Sequence, residues 1–156
     1  MKEGLKKAWA DMVQPMLVRP RLSQVAALCM RGEGKNRKVL LVTSRGTGRW
    51  IIPKGWPMVG KSNLESALIE AWEEAGVKKA APRKEPFGTY MYGKVMEGGV
   101  PVPVEVQVFL MRVDKLSRAY PEMSERKRKW LRPDRAAELV DEPGLQALLH
   151  QLKDKH

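Results

Sequence analysis

One short stretch limits the possible folds of this chain more than any other: residues 62–76 carry the marks of a helix at both ends. Ser62 and Glu65 stand at the spacing of a capping box, in which each side chain accepts a hydrogen bond from the other residue's backbone N–H. Gly76 offers a C-terminal stop. Apolar residues recur between these ends with helical spacing, at Leu64, Ala67, Leu68, Ala71 and Ala75. The pattern predicts a helix from about Asn63 to Ala75 with one buried face.

Three glutamates share a face of this predicted helix. Glu70, Glu73 and Glu74 stand at i, i+3 and i+4, which places neighbouring Cβ atoms about 5–6 Å apart. Carboxylates this close repel one another unless a cation binds them. Mg²⁺ prefers hard oxygen ligands and takes one or two carboxylates, leaving its other positions for water and phosphate oxygens. The cluster therefore predicts a metal site, against the alternative of a solvated helix face.

The remaining elements mix strands and helices without a regular βαβ rhythm, which favours an α+β fold. Residues 22–30 and 37–44 read as a hairpin, and residues 49–52 as a short strand. Residues 102–113 alternate strictly, with valines on one face and Glu105, Gln107 and Phe109 on the other. The other predicted elements are a Lys/Ala/Pro linker after the helix, strands at 85–95 and 130–131, a helix at 134–139 with Asp134 as N-cap, and a helix at 143–152 that begins at Pro143.

The charge balance points to an anionic partner. Twenty-nine Lys and Arg residues against 18 Asp and Glu residues give a net charge of +11. Such a surface favours a highly phosphorylated small molecule or a nucleic acid. The sequence shows no RNA motif, and its aromatic content of 6% leaves few stacking platforms. A phosphorylated small molecule is therefore the favoured partner, with RNA binding or decapping as the less favoured alternative.

Cysteine content and hydropathy set the expected compartment. The single cysteine, Cys29, lies in an apolar run, which predicts a buried thiol and excludes an internal disulfide. No apolar run approaches the roughly 20 residues needed to span a bilayer, and the first residues are charged throughout. These features predict a cytoplasmic protein with no membrane partner.

The chain divides into an arm and one domain. Residues 22–152 are expected to form a single domain, preceded by an N-terminal arm at residues 1–21. Within the arm, residues 2–13 have the spacing of a short amphipathic helix, and Pro15 and Pro20 break the pattern. The sequence leaves open whether this arm packs on its own domain or on a second subunit, which would make a homodimer.

The acidic helix and the loop before it resemble the Nudix box, G-x5-E-x7-R-E-U-x-E-E-x-G-U, where U is aliphatic. The positions that match are Gly55, Glu70, Glu73, Glu74, Gly76 and Val77. The flanking segments RWIIPKG and ERKRKWLRPDRAAELV are similar to the branch that contains the diphosphoinositol polyphosphate phosphohydrolases. The resemblance extends from about residue 23 to residue 149.

This resemblance implies a fold, an activity and a set of residue roles. The implied fold is an α/β/α sandwich with a mixed sheet and the acidic helix beside it. The implied activity is Mg²⁺-dependent hydrolysis, with Mn²⁺ as an alternative ion, of a nucleoside diphosphate linked to another moiety or of a related pyrophosphate. Glu70, Glu73 and Glu74 would then be metal ligands, with Glu70 or Glu73 as the catalytic base, and Gly55 would help to hold the metal through its backbone carbonyl.

Two positions depart from the box. Lys61 stands where the pattern has its first glutamate, and Ile69 stands where it has an arginine. In the family that arginine holds a catalytic glutamate by a charge-assisted hydrogen bond, which isoleucine cannot do. The departures leave two alternatives: an ion pair lost as a unit in an active enzyme, or a protein that binds a nucleotide or polyphosphate with weakened catalysis.

Further candidates lie outside the helix. Glu105 could supply another metal ligand from the sheet, or it could be an exposed strand residue. Arg45, Arg49 and Lys54 surround the loop before the box and are the predicted phosphate-binding residues. Weaker candidates of the same kind are Arg19, Arg21, Arg126 and Lys129. Trp50 and Trp56 could stack on a base, although buried packing is the default for tryptophan.

Overall fold

The computed structural model describes residues 22–96 and 98–155, and a mixed sheet forms its centre. The strands of this part of the chain are β1 (Leu22–Arg31), β2 (Lys38–Thr43), β3 (Trp50–Ile51), β4 (Lys54–Gly55), β5 (Val77–Pro82), β6 (Gly88–Val95), β7 (Pro101–Leu116) and β8 (Arg128–Leu131). The helices are α1 (Asn63–Ala75), α2 (Pro133–Leu139) and α3 (Pro143–Lys155), and a 3-10 turn spans Gly34–Asn36. None of the described helices has the length and apolar character needed to cross a membrane.

The sheet is built around two long parallel strands. β1 and β7 pair in parallel from Leu22 opposite Val104 to Met30 opposite Arg112. The main strand order is β3-β2-β1-β7-β5, while β4 pairs with β1, β6 with β7 and β8 with β2. All of these other pairings are antiparallel. The hairpin predicted for β1 and β2 is confirmed, as is the mixed character of the sheet.

Helices cover both faces of the sheet, because each face carries its own apolar cluster. Ala67, Ala71 and Ala75 of α1 pack on one face, in a cluster that includes Val25 and Phe109. The opposite cluster joins the valines of β7 to buried residues of α2 and α3. The α/β/α sandwich implied by the family resemblance is confirmed.

The predicted helix is also confirmed at both of its ends. Ser62 accepts from the Glu65 backbone N–H at 3.1 Å, and the Glu65 carboxylate accepts from the Ser62 N–H at 2.9 Å. Gly76 takes the left-handed conformation (φ 71°) that glycine adopts without strain. The alanines on the buried stripe bring the helix axis close to the sheet. The glutamates beside this stripe are therefore carried close to the ends of β2 and β4.

Three local predictions are wrong. Residues 77–82 form strand β5 where a linker was expected, because the Lys/Ala/Pro composition has little intrinsic strand preference and the pairing with β7 supplies the strand geometry. β6 begins at Gly88 and not at residue 85. Arg132 is the N-cap of α2, with Pro133 as its first residue, so Asp134 lies inside the first turn. The arm at residues 1–21 and its predicted helix lie outside the described residues.

Candidate active site

The acidic face of α1 opens into a cavity of 1420 Å³ between the helix, β6 and the start of α3. Glu70, Glu73 and Glu74 all line this cavity. Glu70 and Glu74 are buried, whereas Glu73 is half-buried. The structure therefore brings together the three glutamates that the sequence singled out. They belong to a concave, partly desolvated wall rather than to a solvated helix face.

Gly55 lies so close to Glu70 that any larger residue would force the Glu70 carboxyl group to move. A Cβ atom added at Gly55 would fall on the carboxyl group of Glu70, within β4 where it pairs with Val25 of β1. The backbone N–H of the preceding residue, Lys54, donates to Glu74 Oε1 at 3.3 Å. Glycine in the first box position is thus explained by the close approach of strand backbone and helix carboxylates.

Burial and mutual proximity change how these carboxylates hold protons. Burial, a hydrogen bond with Glu74 and the charges of Glu74, Glu73 and Glu122 raise the pKa of Glu70 to about 8. Burial also raises the pKa of Glu74, and the positive charge of Arg126 partly opposes that rise. Each carboxylate pair here is costly to ionise without a cation nearby. The cluster therefore has the electrostatic character of a site that takes up a cation.

The donor set fits a hard divalent ion such as Mg²⁺. Among residues 22–96 and 98–155, no three histidine, cysteine, aspartate or glutamate side chains converge into a preformed metal cage. Mg²⁺ does not require such a cage, because it commonly keeps several waters and binds through one or two carboxylates together with substrate phosphates. Glu70, Glu73 and Glu74 supply those carboxylates on one wall of a cavity with room for water and a ligand.

Arg126 contributes a positive charge to the acidic cluster from the loop before β8. Its Nη2 atom lies 3.5 Å from Glu74 Oε2, and its Nε donates to Glu122 Oε1 at 2.9 Å. A third bond, from Nη1 to the carbonyl of Thr43, measures 3.0 Å and ties the guanidinium to the end of β2. The sequence ranked Arg126 as a weak phosphate contact and gave no signal for Glu122, which also lines the cavity. The contact with Glu74 joins residues far apart in the sequence and follows no local pattern, whereas Glu122 and Arg126 stand at i and i+4.

The predicted phosphate-binding cations also line the cavity. Arg45 contacts Glu125 at 3.3 Å, and Arg49 contacts Glu142 at 3.4 Å. Burial lowers the pKa of Lys54 to about 8, although the carboxylates of Glu74 and Glu142 oppose that shift. The three predicted residues therefore line the same cavity as the acidic face of α1.

The other candidate residues differ in whether they line the cavity. Glu105 lies on the α1 side of β7, beside the position of Gln107, and is not part of the cavity wall, so its role as a ligand stays a prediction. Lys129 is exposed on β8 and also lies away from the cavity wall, whereas Arg19 and Arg21 fall outside the described residues. Trp56 is exposed on the cavity wall, against the expected burial.

Known structures define the class of fold to which this sandwich belongs. The chain superposes on the Ap4A hydrolase of C. elegans with a TM-score of 0.62 and 20% identity, covering 85% of this chain and 96% of that one. It also matches the NUDIX domain of Shewanella oneidensis NrtR complexed with ADP ribose, with a TM-score of 0.62, 17% identity and coverage of 90% and 92%. At these identities the likeness establishes the fold alone.

Sequence comparison gives the family. A model of the NUDIX domain matches residues 20–152, and the chain therefore belongs to the NUDIX family. It is 28% identical over 123 residues to the mitochondrial Nudix hydrolase 13 of Arabidopsis thaliana, covering 73% of this chain and 58% of that protein. It is 38% identical over 55 residues to human diphosphoinositol polyphosphate phosphohydrolase 3-alpha, covering 35% of this chain and 34% of that protein. The chain thus spans little more than half of the first relative and about a third of the second.

Proposed function

We propose that this protein hydrolyses phosphoanhydride bonds in nucleoside diphosphate-linked or polyphosphate substrates, with Mg²⁺ or Mn²⁺ as cofactor. One observation carries the proposal: the acidic face of α1 and the cations Arg45, Arg49 and Lys54 line the same 1420 Å³ cavity. A pyrophosphate needs positive charge along its oxygens and a polarised bond at the point of cleavage. Relatives whose names describe Nudix hydrolases and a diphosphoinositol polyphosphate phosphohydrolase support the proposal.

In this proposal the chain's own groups hold the substrate. Arg45 and Arg49 bind terminal phosphate oxygens through their planar guanidinium groups, which can donate two hydrogen bonds to one phosphate. Lys54, whose pKa burial lowers to about 8, supplies a further cation to the same cavity wall. In the same proposal Glu73, which is half-buried and lines the same cavity, accepts a proton from the attacking water, with Glu70 as the alternative base.

Glu70, Glu73 and Glu74 would hold the metal, with the close backbone of Gly55 beside them. When bound, the divalent ion supplies a Lewis acid that polarises the phosphorus–oxygen bond and lowers the pKa of a bound water. Arg126 orients the carboxylates of Glu74 and Glu122 through the contacts described above.

A substrate panel tests the proposal directly. Diadenosine tetraphosphate and a diphosphoinositol polyphosphate are incubated with the protein in Mg²⁺, in Mn²⁺ and in EDTA, and the released products, nucleotides from the first and inorganic phosphate from the second, are quantified by ion-exchange chromatography. We expect metal-dependent release that falls at least about a hundredfold in Glu70→Gln and Glu73→Gln, the size typical of losing a catalytic proton-transfer group. Glu65→Gln is the matched control, because it lies on the same helix and glutamine also serves in a capping box. No turnover in any condition, together with no metal binding, would refute the proposal.

A second candidate function is ligand binding with weakened catalysis, and the departures from the box favour it. Ile69 is half-buried on α1 and Lys61 is exposed before it, so neither carries the role that the box gives to its position. Restoring the arginine with Ile69→Arg separates the two functions. A large gain in rate would indicate a weakened active site, whereas persistent binding of a nucleotide with no turnover would indicate a binding protein.

A further inference from the structure

The part of the cavity wall beside the start of α3 carries a buried carboxylate, one oxygen of which has no hydrogen-bond partner in the described part of the chain. Glu142, immediately before α3, is 6% exposed, and its Oε2 lies 3.4 Å from Arg49 Nη1. Its Oε1 has no hydrogen-bond partner among the described residues. The hydroxyl of Tyr90, on β6, is also buried without such a partner. Because buried polar atoms are rarely left unpaired, these two atoms mark a place where a ligand can supply the missing bonds.

The backbone fixes Glu142 and Tyr90 in place before any ligand arrives. The Glu142 carbonyl accepts from the Gln146 N–H at 3.0 Å in the first turn of α3. Gly144 lets this turn approach β6, because a Cβ there would lie 2.6 Å from the Tyr90 Cβ. Beside them, Tyr92 donates to Gln24 Oε1 at 2.6 Å and is thereby held in position. Glu142 and Tyr90 thus belong to a wall of the same cavity that Glu70 and Glu74 line.

The chemistry of this wall selects what it can bind. A carboxylate accepts hydrogen bonds and cannot donate them, so Glu142 repels phosphate oxygens and attracts hydroxyl or amino groups. Tyr90 can both donate and accept. A highly phosphorylated ligand would place negative charge against Glu142, whereas a sugar diol offers uncharged hydroxyl donors to Glu142 and can exchange hydrogen bonds with Tyr90.

We propose that Glu142, with Tyr90, is a specificity-determining subsite for an uncharged, donor-bearing group of the substrate, such as the ribose hydroxyls of a nucleoside diphosphate. The subsite selects against ligands that are phosphorylated at every position, such as an inositol polyphosphate. This inference rests on the proposed function only for the claim that the bound group belongs to a substrate, since recognition itself requires no turnover.

Equilibrium binding without metal tests the subsite. Isothermal titration calorimetry in EDTA compares ADP with inositol hexakisphosphate on wild-type protein and on Glu142→Gln, which removes the charge and keeps the shape. Loss of a hydrogen bond to a charged group corresponds to about a tenfold loss in affinity, so we expect ADP to bind about tenfold more weakly. Inositol hexakisphosphate should bind more tightly to the same variant. Opposite changes in the affinities for ADP and for inositol hexakisphosphate would identify selection by charge and hydrogen bonding.

Two further variants make the test specific. Asp141→Asn is the matched control, because Asp141 contacts the same Arg49 but is 69% exposed, and its ADP affinity should change less than about twofold. Tyr90→Phe removes only the hydroxyl, and we expect it to weaken ADP binding. This variant replaces Glu142→Gln in the test if Glu142→Gln does not fold. The proposal is overturned if wild-type protein does not bind ADP, if Glu142→Gln weakens both ligands alike, or if Asp141→Asn has the same effect. Absence of hydrolysis with these results intact would count against the proposed function alone.

Discussion

Replacing Arg126 by methionine is the perturbation that most directly probes the acidic site. The guanidinium lies 3.5 Å from Glu74, 2.9 Å from Glu122 and 3.0 Å from the Thr43 carbonyl. Methionine retains the length of the side chain and removes all three contacts. The carboxylates of Glu74 and Glu122 would then stand beside Glu70 without this compensating charge.

The burial of the Arg126–Glu74 ion pair determines how much stability the substitution should remove. The side chains of Arg126 and Glu74 are 7% and 6% exposed, so water screens their interaction little. Removing one partner of such a buried pair costs about 3–5 kcal/mol, because the other charge stays buried and uncompensated. For a domain of this size 1 kcal/mol shifts the melting temperature by about 2–4 °C. We therefore expect Arg126→Met to melt on the order of 10 °C below wild type.

Urea unfolding in EDTA, followed by circular dichroism, measures the free energy of unfolding of both proteins. The matched control is Arg135→Met, which removes the same kind of ion pair where the partners are 59% and 65% exposed. Exposed pairs contribute about 0–1 kcal/mol, so the control should remain close to wild type. Mg²⁺ should stabilise Arg126→Met more than wild type, since it supplies positive charge to the same carboxylates. Equal losses in the two variants would refute the assignment of Arg126 as a buried stabilising cation.

Three further predictions follow from single residues. Gly55→Ala should lower the free energy of unfolding by about 1–3 kcal/mol and weaken Mn²⁺ binding, because the alanine Cβ would fall on the Glu70 carboxyl group. Urea unfolding measures the first effect and titration calorimetry measures the second. Ser62→Ala should cost about 1 kcal/mol in urea unfolding through loss of the N-cap, and a neutral result would argue against the capping box. Burial raises the pKa of the Cys29 thiol to about 12, so Ellman's reagent at pH 8 should react with it only after unfolding, and rapid reaction of the native protein would contradict its burial.

The features that the sequence predicted correctly are those with local causes. The bounds of α1 follow from a capping box, a helical apolar period and a glycine stop, all within fifteen residues. The faces of β7 follow from strict alternation, which has a period of two whatever the partner strand is. The placement of Glu70, Glu73 and Glu74 on one cavity wall follows from the same helix, since its stripe of alanines fixes which side faces the sheet.

Most of the errors have causes that lie outside the local sequence pattern. β5 is a strand because β7 runs beside it, and its own residues give little indication of this. Asp134 is predicted as the cap of α2 because its side chain can accept from the first turn, whereas the helix begins with Pro133, whose missing N–H removes one of the donors that a cap would satisfy. Trp56 is exposed because it lines a cavity, which no single stretch of sequence reveals.

The contrast between local and distant causes also explains how a Nudix box without its arginine and its first glutamate can coexist with an organised acidic site. A box arginine at position 69 would share α1 with the glutamates, and Ile69 removes that charge from the motif. The structure supplies a buried guanidinium from Arg126, 52 positions after Glu74 and bonded to the end of β2. An arginine on another element can brace a carboxylate as rigidly as one on the helix, provided that its remaining donors are also bonded. The replacement of the box arginine by Ile69 thus removes the motif's own charge but leaves a positive charge at Glu74, and for this reason we rank the hydrolase above the binding protein.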